Sequence, residues 1–256
     1  MVSSKFWQSV SVSTLIISGL TLGLSHQVLA GVDLPEDKLN TEKSLRWGGA
    51  GLPSDDVVTL RDALVNSVVG KVVIDKHGED NGKEEATGFL GGLFNSLTVK
   101  DPFGEPQPGR MTIVTLWGSK EEGCFVKALV HNAPKGDGGD AKGFVPVRLE
   151  VGVGDRVVKL TPASKGVARA ASSNYTYVKE YTSNYTPIKA EGSLYFAENT
   201  FAVNAKVADL FRNAPKGDAK IRLTFANGDT KIFPVGQKNV ARWRDSYDYN
   251  PSCQAK

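Results

Sequence analysis

Asn132-Ala-Pro-Lys-Gly-Asp137 recurs as Asn213-Ala-Pro-Lys-Gly-Asp218, and the reading of these two hexapeptides with their flanks decides the expected fold. Upstream, Val126, Leu129 and Val130 match Val207, Leu210 and Phe211. Both sets have i, i+3, i+4 spacing, which predicts one apolar face of a short amphipathic helix in each copy. Pro134 and Pro215 follow. A proline ring disfavours helical geometry in the preceding residue, so both helices should end near the Asn-Ala pair. The Lys-Gly that comes next suits a tight turn.

Downstream, Val147-Arg-Leu-Glu-Val151 matches Ile221-Arg-Leu-Thr-Phe225. Apolar and polar residues alternate in both, as in a half-buried strand, with Arg148 and Arg222 on the outward face. Each strand runs into a Gly-Asp corner, at Gly154-Asp155 and Gly228-Asp229, before return strands at 156–160 and 230–235. Asn227-Gly228 is a strong hairpin signal, because a type I′ turn needs positive φ at both central residues. Lys165-Gly-Val-Ala-Arg169 then matches Lys238-Asn-Val-Ala-Arg242, which predicts a second helix. The offset falls from 81 residues (Asn132 to Asn213) to 74 (Val147 to Ile221), the difference being a Gly-rich insertion in the first copy. Such insertions are tolerated because loop-closure entropy rises slowly with length.

These matches predict two copies of one unit, at about 124–172 and 205–248, within a strand-rich region 106–256. The linking segment is rich in Tyr and Thr and reads as two or three strands. Met111–Trp117 reads as another strand, and the Pro/Gly-rich DPFGEPQPGR before it as a boundary. In the N-terminal region 31–105, Ser54-Asp55-Asp56 followed by Val57, Leu60 and Leu64 predicts a capped helix, and Lys71–Ile74 a strand. Asp75–Gly88 reads as a polar loop, while GFLGGLFNSL holds too many glycines to assign. The expected class is α+β with mainly antiparallel sheet and short helices, the alternative being a β-sandwich with short helices.

Residues 1–30 carry Lys5, a short apolar run Val10–Leu24 diluted by Ser, Thr and Gly, and Val28 and Ala30 before the junction. That is the pattern of a secretory signal peptide, and the run is shorter than the ~20 residues a membrane span needs. An exported chain, periplasmic or extracellular, with no membrane span after cleavage is therefore the expectation. Removing Lys5 leaves 30 Lys+Arg against 28 Asp+Glu. Such a balance gives no electrostatic reason to expect nucleic acid as a partner. Cys124 and Cys253 make an even count, and in an oxidising compartment they are expected to pair.

Function is less legible. The region after residue 30 has His77 and His131 only, with no zinc-ligand spacing. His131 aligns with Arg212, so a helix-end cation is expected there. The acidic stretch from Asp75 to Glu85 lacks calcium-loop spacing, and neither nucleotide-loop motif nor G-x-S-x-G occurs. No cofactor is expected. The remaining candidates are surfaces: Tyr175, Tyr177, Tyr181 and Tyr185, whose rings suit stacking on sugars, and a basic face containing Arg148 and Arg222. Solvated charges and ordinary Tyr–Thr strand pairing explain the same residues without a ligand. The expected function is a non-enzymatic exported protein that binds a cell-envelope glycan or protein. An envelope hydrolase with unidentified carboxylates and a structural subunit of a surface assembly are the alternatives.

Overall fold

A computed structural model describes residues 32–39, 46–80, 103–136, 139–163, 168–215, 217 and 219–254. The expected leader, 1–30, lies outside the described residues, as does GFLGGLFNSL. Gly31–Lys256 forms one compact unit.

The chain is α+β with mainly antiparallel sheet. Among the described residues, the larger of two sheets has seven strands: β1 (Val32–Pro35), β2 (Val57–Arg61), β3 (Val68–Asp80), β4 (Arg110–Lys120), β5 (Gly123–Ala133), β8 (Arg169–Tyr181) and β9 (Pro187–Val203). Their spatial order is β1-β2-β3-β4-β5-β9-β8. Among the described strands, only the β1–β2 pair is parallel. The smaller sheet comprises β6 (Pro146–Val153), β7 (Arg156–Leu160), β10 (Ala219–Phe225) and β11 (Thr230–Val235), in the order β11-β10-β6-β7. Two helices, α1 (Ala205–Arg212) and α2 (Gln237–Tyr247), flank β10 and β11 in sequence.

The smaller sheet and both helices cover one face of the larger sheet. Met111, Ile113 and Trp117 of β4 and Val126, Ala128 and Val130 of β5 meet Leu149, Val151, Ile221, Leu223 and Phe225 there. α1 brings Phe211, and α2 brings Trp243 and Tyr247, so that Trp117 lies 4.7 Å from Trp243 and 5.6 Å from Phe211, centroid to centroid. Offset and edge-on ring contacts of this kind add to what burial alone contributes. Val72, Ile74, Val114, Leu116 and Leu129 point to the opposite face, where Leu39, Val58 and Leu60 join them. β4 and β5 are therefore buried on both faces.

That double burial explains where the expected helices fail. Val126, Leu129 and Val130 lie in β5, not in a helix. A strand apolar on both sides gives a near-continuous hydrophobic run, and i, i+3, i+4 spacing falls out of such a run by coincidence. Val57 and Leu60 likewise belong to strand β2, and Leu64 is exposed. The Asp75–Gly88 loop is also corrected in part, since β3 continues through Asp80. In the second copy the helix forms: Val207, Leu210 and Phe211 are in α1, whose cap residue Asn204 accepts from the Val207 N–H at 3.0 Å. Residues 164–167 are outside the described set, and Arg169 onwards is strand β8 where the matching α2 is helical. The DPFGEPQPGR connection joins neighbouring strands, for β3 pairs with β4 over eleven positions.

Among the described residues, the likeness between the copies is structural only in the strand–turn–strand segments. Leu149 and Leu223, equivalent in VRLEV and IRLTF, sit directly opposite each other where β6 meets β10. The return strands β7 and β11 flank them on the outside. β6 and β10 run antiparallel about that leucine pair, so Arg148 and Arg222 emerge on one face, while the return strands differ in register: Leu149 faces Leu160, and Leu223 faces Lys231.

Candidate functional site

β8 and β9 form a hairpin joined through Thr182–Thr186, and they outrun the sheet. β5 pairs with β9 only over Tyr195–Val203, whereas β8 pairs with β9 from Glu198 out to Pro187. Among the described residues, the distal half is therefore a two-stranded ribbon without a third strand beside it. Its outer part exposes Val178, Tyr181, Tyr185 and Ile188, with Tyr181 64% and Tyr185 86% accessible. Tyr185 sits in the turn with φ 59°, a left-handed conformation uncommon for a residue with a bulky side chain. Thr182 holds that turn, accepting from the Thr186 N–H through its hydroxyl at 3.1 Å and from the Tyr185 N–H through its carbonyl at 2.9 Å.

The four tyrosines are not equivalent. Tyr175 is half-buried and its ring lies over Gly192, where an added Cβ would approach to 2.9 Å. It packs beside Trp47, Ala133 and Leu194, 5.7 Å from the Tyr177 ring. Burial, with Tyr177 adding to it, pushes its hydroxyl up to about 12. Tyr175 and Tyr177 form the root of the ribbon; Tyr181 and Tyr185 form its tip. Tyr195 is buried, stacked on Phe144, and donates to the Gly139 carbonyl at 2.9 Å.

Arg148 and Arg222 belong to the other sheet. They share its outer face with Lys159, and Glu150 stands among them, 2.9 Å from Arg222 and 3.7 Å from Lys159. The bond from Arg222 holds the Glu150 carboxyl below the usual carboxylate range. One arginine of the expected pair is thus engaged in an internal ion pair, and the tyrosines and arginines do not form a single site.

One arrangement was not visible in the sequence. A cavity of about 360 Å³ opens on the second face of the larger sheet, above Leu116 and Phe125. Lys127 and Glu198 meet in its wall at 3.0 Å, with Arg169 3.8 Å from the same carboxylate. Burial lowers the Lys127 ammonium from its ordinary value, and Glu198 works against that shift. The alternation of β5 carried the only signal: Phe125, Lys127, Leu129 and His131 occupy one face, so Lys127 is a charge within an apolar row.

The remaining titratable candidates have structural roles. His131 is buried in strand β5, which corrects the expected helix-end cation. Its Nδ1 accepts from the Gly48 N–H at 3.0 Å, and Trp47 and Phe196 pack around it. Burial lowers its pKa to about 4, so the ring is neutral near pH 7. His77 stacks on Phe233 at 4.7 Å. From the acidic stretch, Asp75 accepts from Asn239 Nδ2 at 2.6 Å and from the Gly236 N–H at 3.2 Å, fastening the start of α2 to β3. Asp80 pairs with Arg110 at 3.2 Å, and Glu79 with Lys231. Among the described residues, no group of three or more His, Cys, Asp or Glu side chains converges to hold a metal ion. No helix there is long and apolar enough to cross a membrane. Cys124 and Cys253 form a disulfide with Cα atoms 5.7 Å apart.

No protein-family model matches the chain, and neither does any curated protein or solved structure.

Proposed function

We propose that this chain is an exported, non-enzymatic binding protein that docks a cell-envelope protein through the tip of the β8–β9 ribbon. The observation that carries the reading is the exposure of Val178, Tyr181, Tyr185 and Ile188 together on a two-stranded extension. Aliphatic and tyrosine side chains in combination suit a protein surface, where tyrosine supplies large contact area at low entropic cost. Thr182, Ser183, Asn184 and Thr186 border the two rings as a sugar platform would, but the exposed aliphatic side chains of Val178 and Ile188 add an apolar contact area that favours a protein. The leader pattern of residues 1–30 and the Cys124–Cys253 disulfide support export, since disulfides persist in oxidising compartments.

The test uses the exported protein, recovered with Gly31 at its N terminus, carrying a photo-crosslinking residue at position 185 or, as a control, at exposed position 64. A discrete adduct from 185 that is absent from 64, and that is lost in the Tyr181→Ser/Ile188→Ser variant, is the expected result. Equal labelling from both positions overturns the reading. So does binding to an envelope glycan that depends on the same two residues, which would make the ligand a carbohydrate.

A further inference from the structure

An open sheet edge presents unpaired N–H and C=O groups, and proteins blunt such edges with short strands, charges, proline or bulges. Among the described residues the two sheets have four edges, and three of them are blunted. β1 has four residues and ends in Pro35. β7 has five and carries Arg156 and Lys159. β11 contains Pro234. β8 is the exception. It is last in the strand order and runs for thirteen residues, beside the β5-backed part of β9 as far as Ser172 and then along the two-stranded ribbon, and its stretch Ala170–Val178 (AASSNYTYV) contains neither a charge nor a proline. Tyr and Thr are strong strand formers, and Ser173, Asn174 and Thr176 are exposed. The one irregularity in its pairing with β9 lies at its far end, between Val178 and Glu180.

We infer that β8 is a dimerisation edge, pairing antiparallel with β8 of a second copy about a two-fold axis through Tyr175. The sequence of the strand is what selects a second copy as the occupant. A two-fold perpendicular to the sheet keeps each side chain on its own face and sets residues equidistant from Tyr175 opposite one another. Tyr177 then lies opposite Ser173 of the other copy, a large residue against a small one, twice over. Asn174 lies opposite Thr176, a pair able to hydrogen-bond. The irregularity between Val178 and Glu180 ends the regular register there, so the pairing spans Ser172–Val178, a stretch without charge in which no like charges meet. Main-chain bonds supply the affinity in such edge additions. A short strand pair is a small interface, so the dimer is concentration-dependent. The tips at Tyr185 point away from the axis in opposite directions, so this inference and the docking role of the tip stand or fall separately.

Sedimentation equilibrium of the wild-type protein over about a hundredfold range of concentration tests it. The expected result is a mass rising from monomer to dimer. The Asn174→Lys/Thr176→Lys variant, checked for an unchanged circular dichroism spectrum, should remain monomeric, because the axis sets lysine against lysine. Asn174→Glu/Thr176→Glu should behave the same way alone, and mixing the two folded variants should restore the dimer mass. A wild type that stays monomeric throughout overturns the inference. So does a lysine variant that dimerises like wild type, or a mixture of folded variants that fails to associate.

Discussion

At the scale of single residues, the most consequential group is His131. Its folded pKa of about 4 lies below the ordinary value of 6.5 because the ring is buried. A depressed base contributes stability that is complete above pH 6.5 and is lost as pH falls through the folded value, because the unfolded chain takes up the proton first. Over that window the loss is roughly 3 kcal/mol. Thermal melts between pH 7 and pH 4 should show a steep fall, and a His131→Gln variant, destabilised at pH 7, should show a shallower one. A wild-type profile parallel to that of the variant would remove His131 as the cause. His131 also shows why residue roles were hard to read from sequence. Its alignment with Arg212 suggested a helix-end cation, whereas the alternation of β5 turns it inward beneath Trp47 and Gly48.

At the scale of elements, α2 depends on a polar anchor as well as on its aromatic face. Asn239 is buried, and it donates to Asp75 while accepting from the Asp55 N–H at 3.2 Å. Asn239→Ala removes the shortest bond to a carboxylate that burial already disfavours, at a cost of about 2 kcal/mol. Urea unfolding should show the loss in the midpoint, and an unchanged midpoint would mean that water replaces the amide without penalty. Strands and hairpins were largely legible. VRLEV and IRLTF follow local rules, whereas the Asn227-Gly228 corner is not the expected type I′ pair: of the two only Gly228 takes positive φ, at 92°, and the strands close further back, at Thr224 and Thr230. The segments that misled are those whose burial is decided elsewhere. Val126–Val130 becomes strand because neighbours cover both of its faces, and Val57–Leu60 because Val58 and Leu60 are buried against the sheet on one face; a single sequence does not record its neighbours. The cavity beside Lys127 was hidden for the same reason, since Glu198 and Arg169 arrive from β9 and β8.

At the scale of the whole molecule, the C-terminal segment fastens the sheet. Tyr247 and Tyr249 donate to the carbonyls of Phe125 and Val68 at 3.1 and 2.9 Å, and Asn250 donates to those of Lys120 and Glu121 at 2.5 and 3.1 Å. The disulfide then joins Cys253 to Cys124 across 129 residues of chain. Loop-closure entropy for a ring of that size corresponds to roughly 4–5 kcal/mol. Guanidinium unfolding with and without reductant should differ by a value near that, and coincident curves would show that the reduced unfolded chain is already compact.

In time as well as in space, this fastening imposes an order of events. Trp243 and Tyr247 complete a hydrophobic layer whose members on β4 and β5, Trp117 and Val126 among them, emerge about a hundred residues earlier or more. The part of the central strands beneath α2 therefore waits, incompletely covered, until nearly the whole polypeptide has been made. For the export proposed above, that delay keeps the chain open long enough to be threaded across a membrane before it closes.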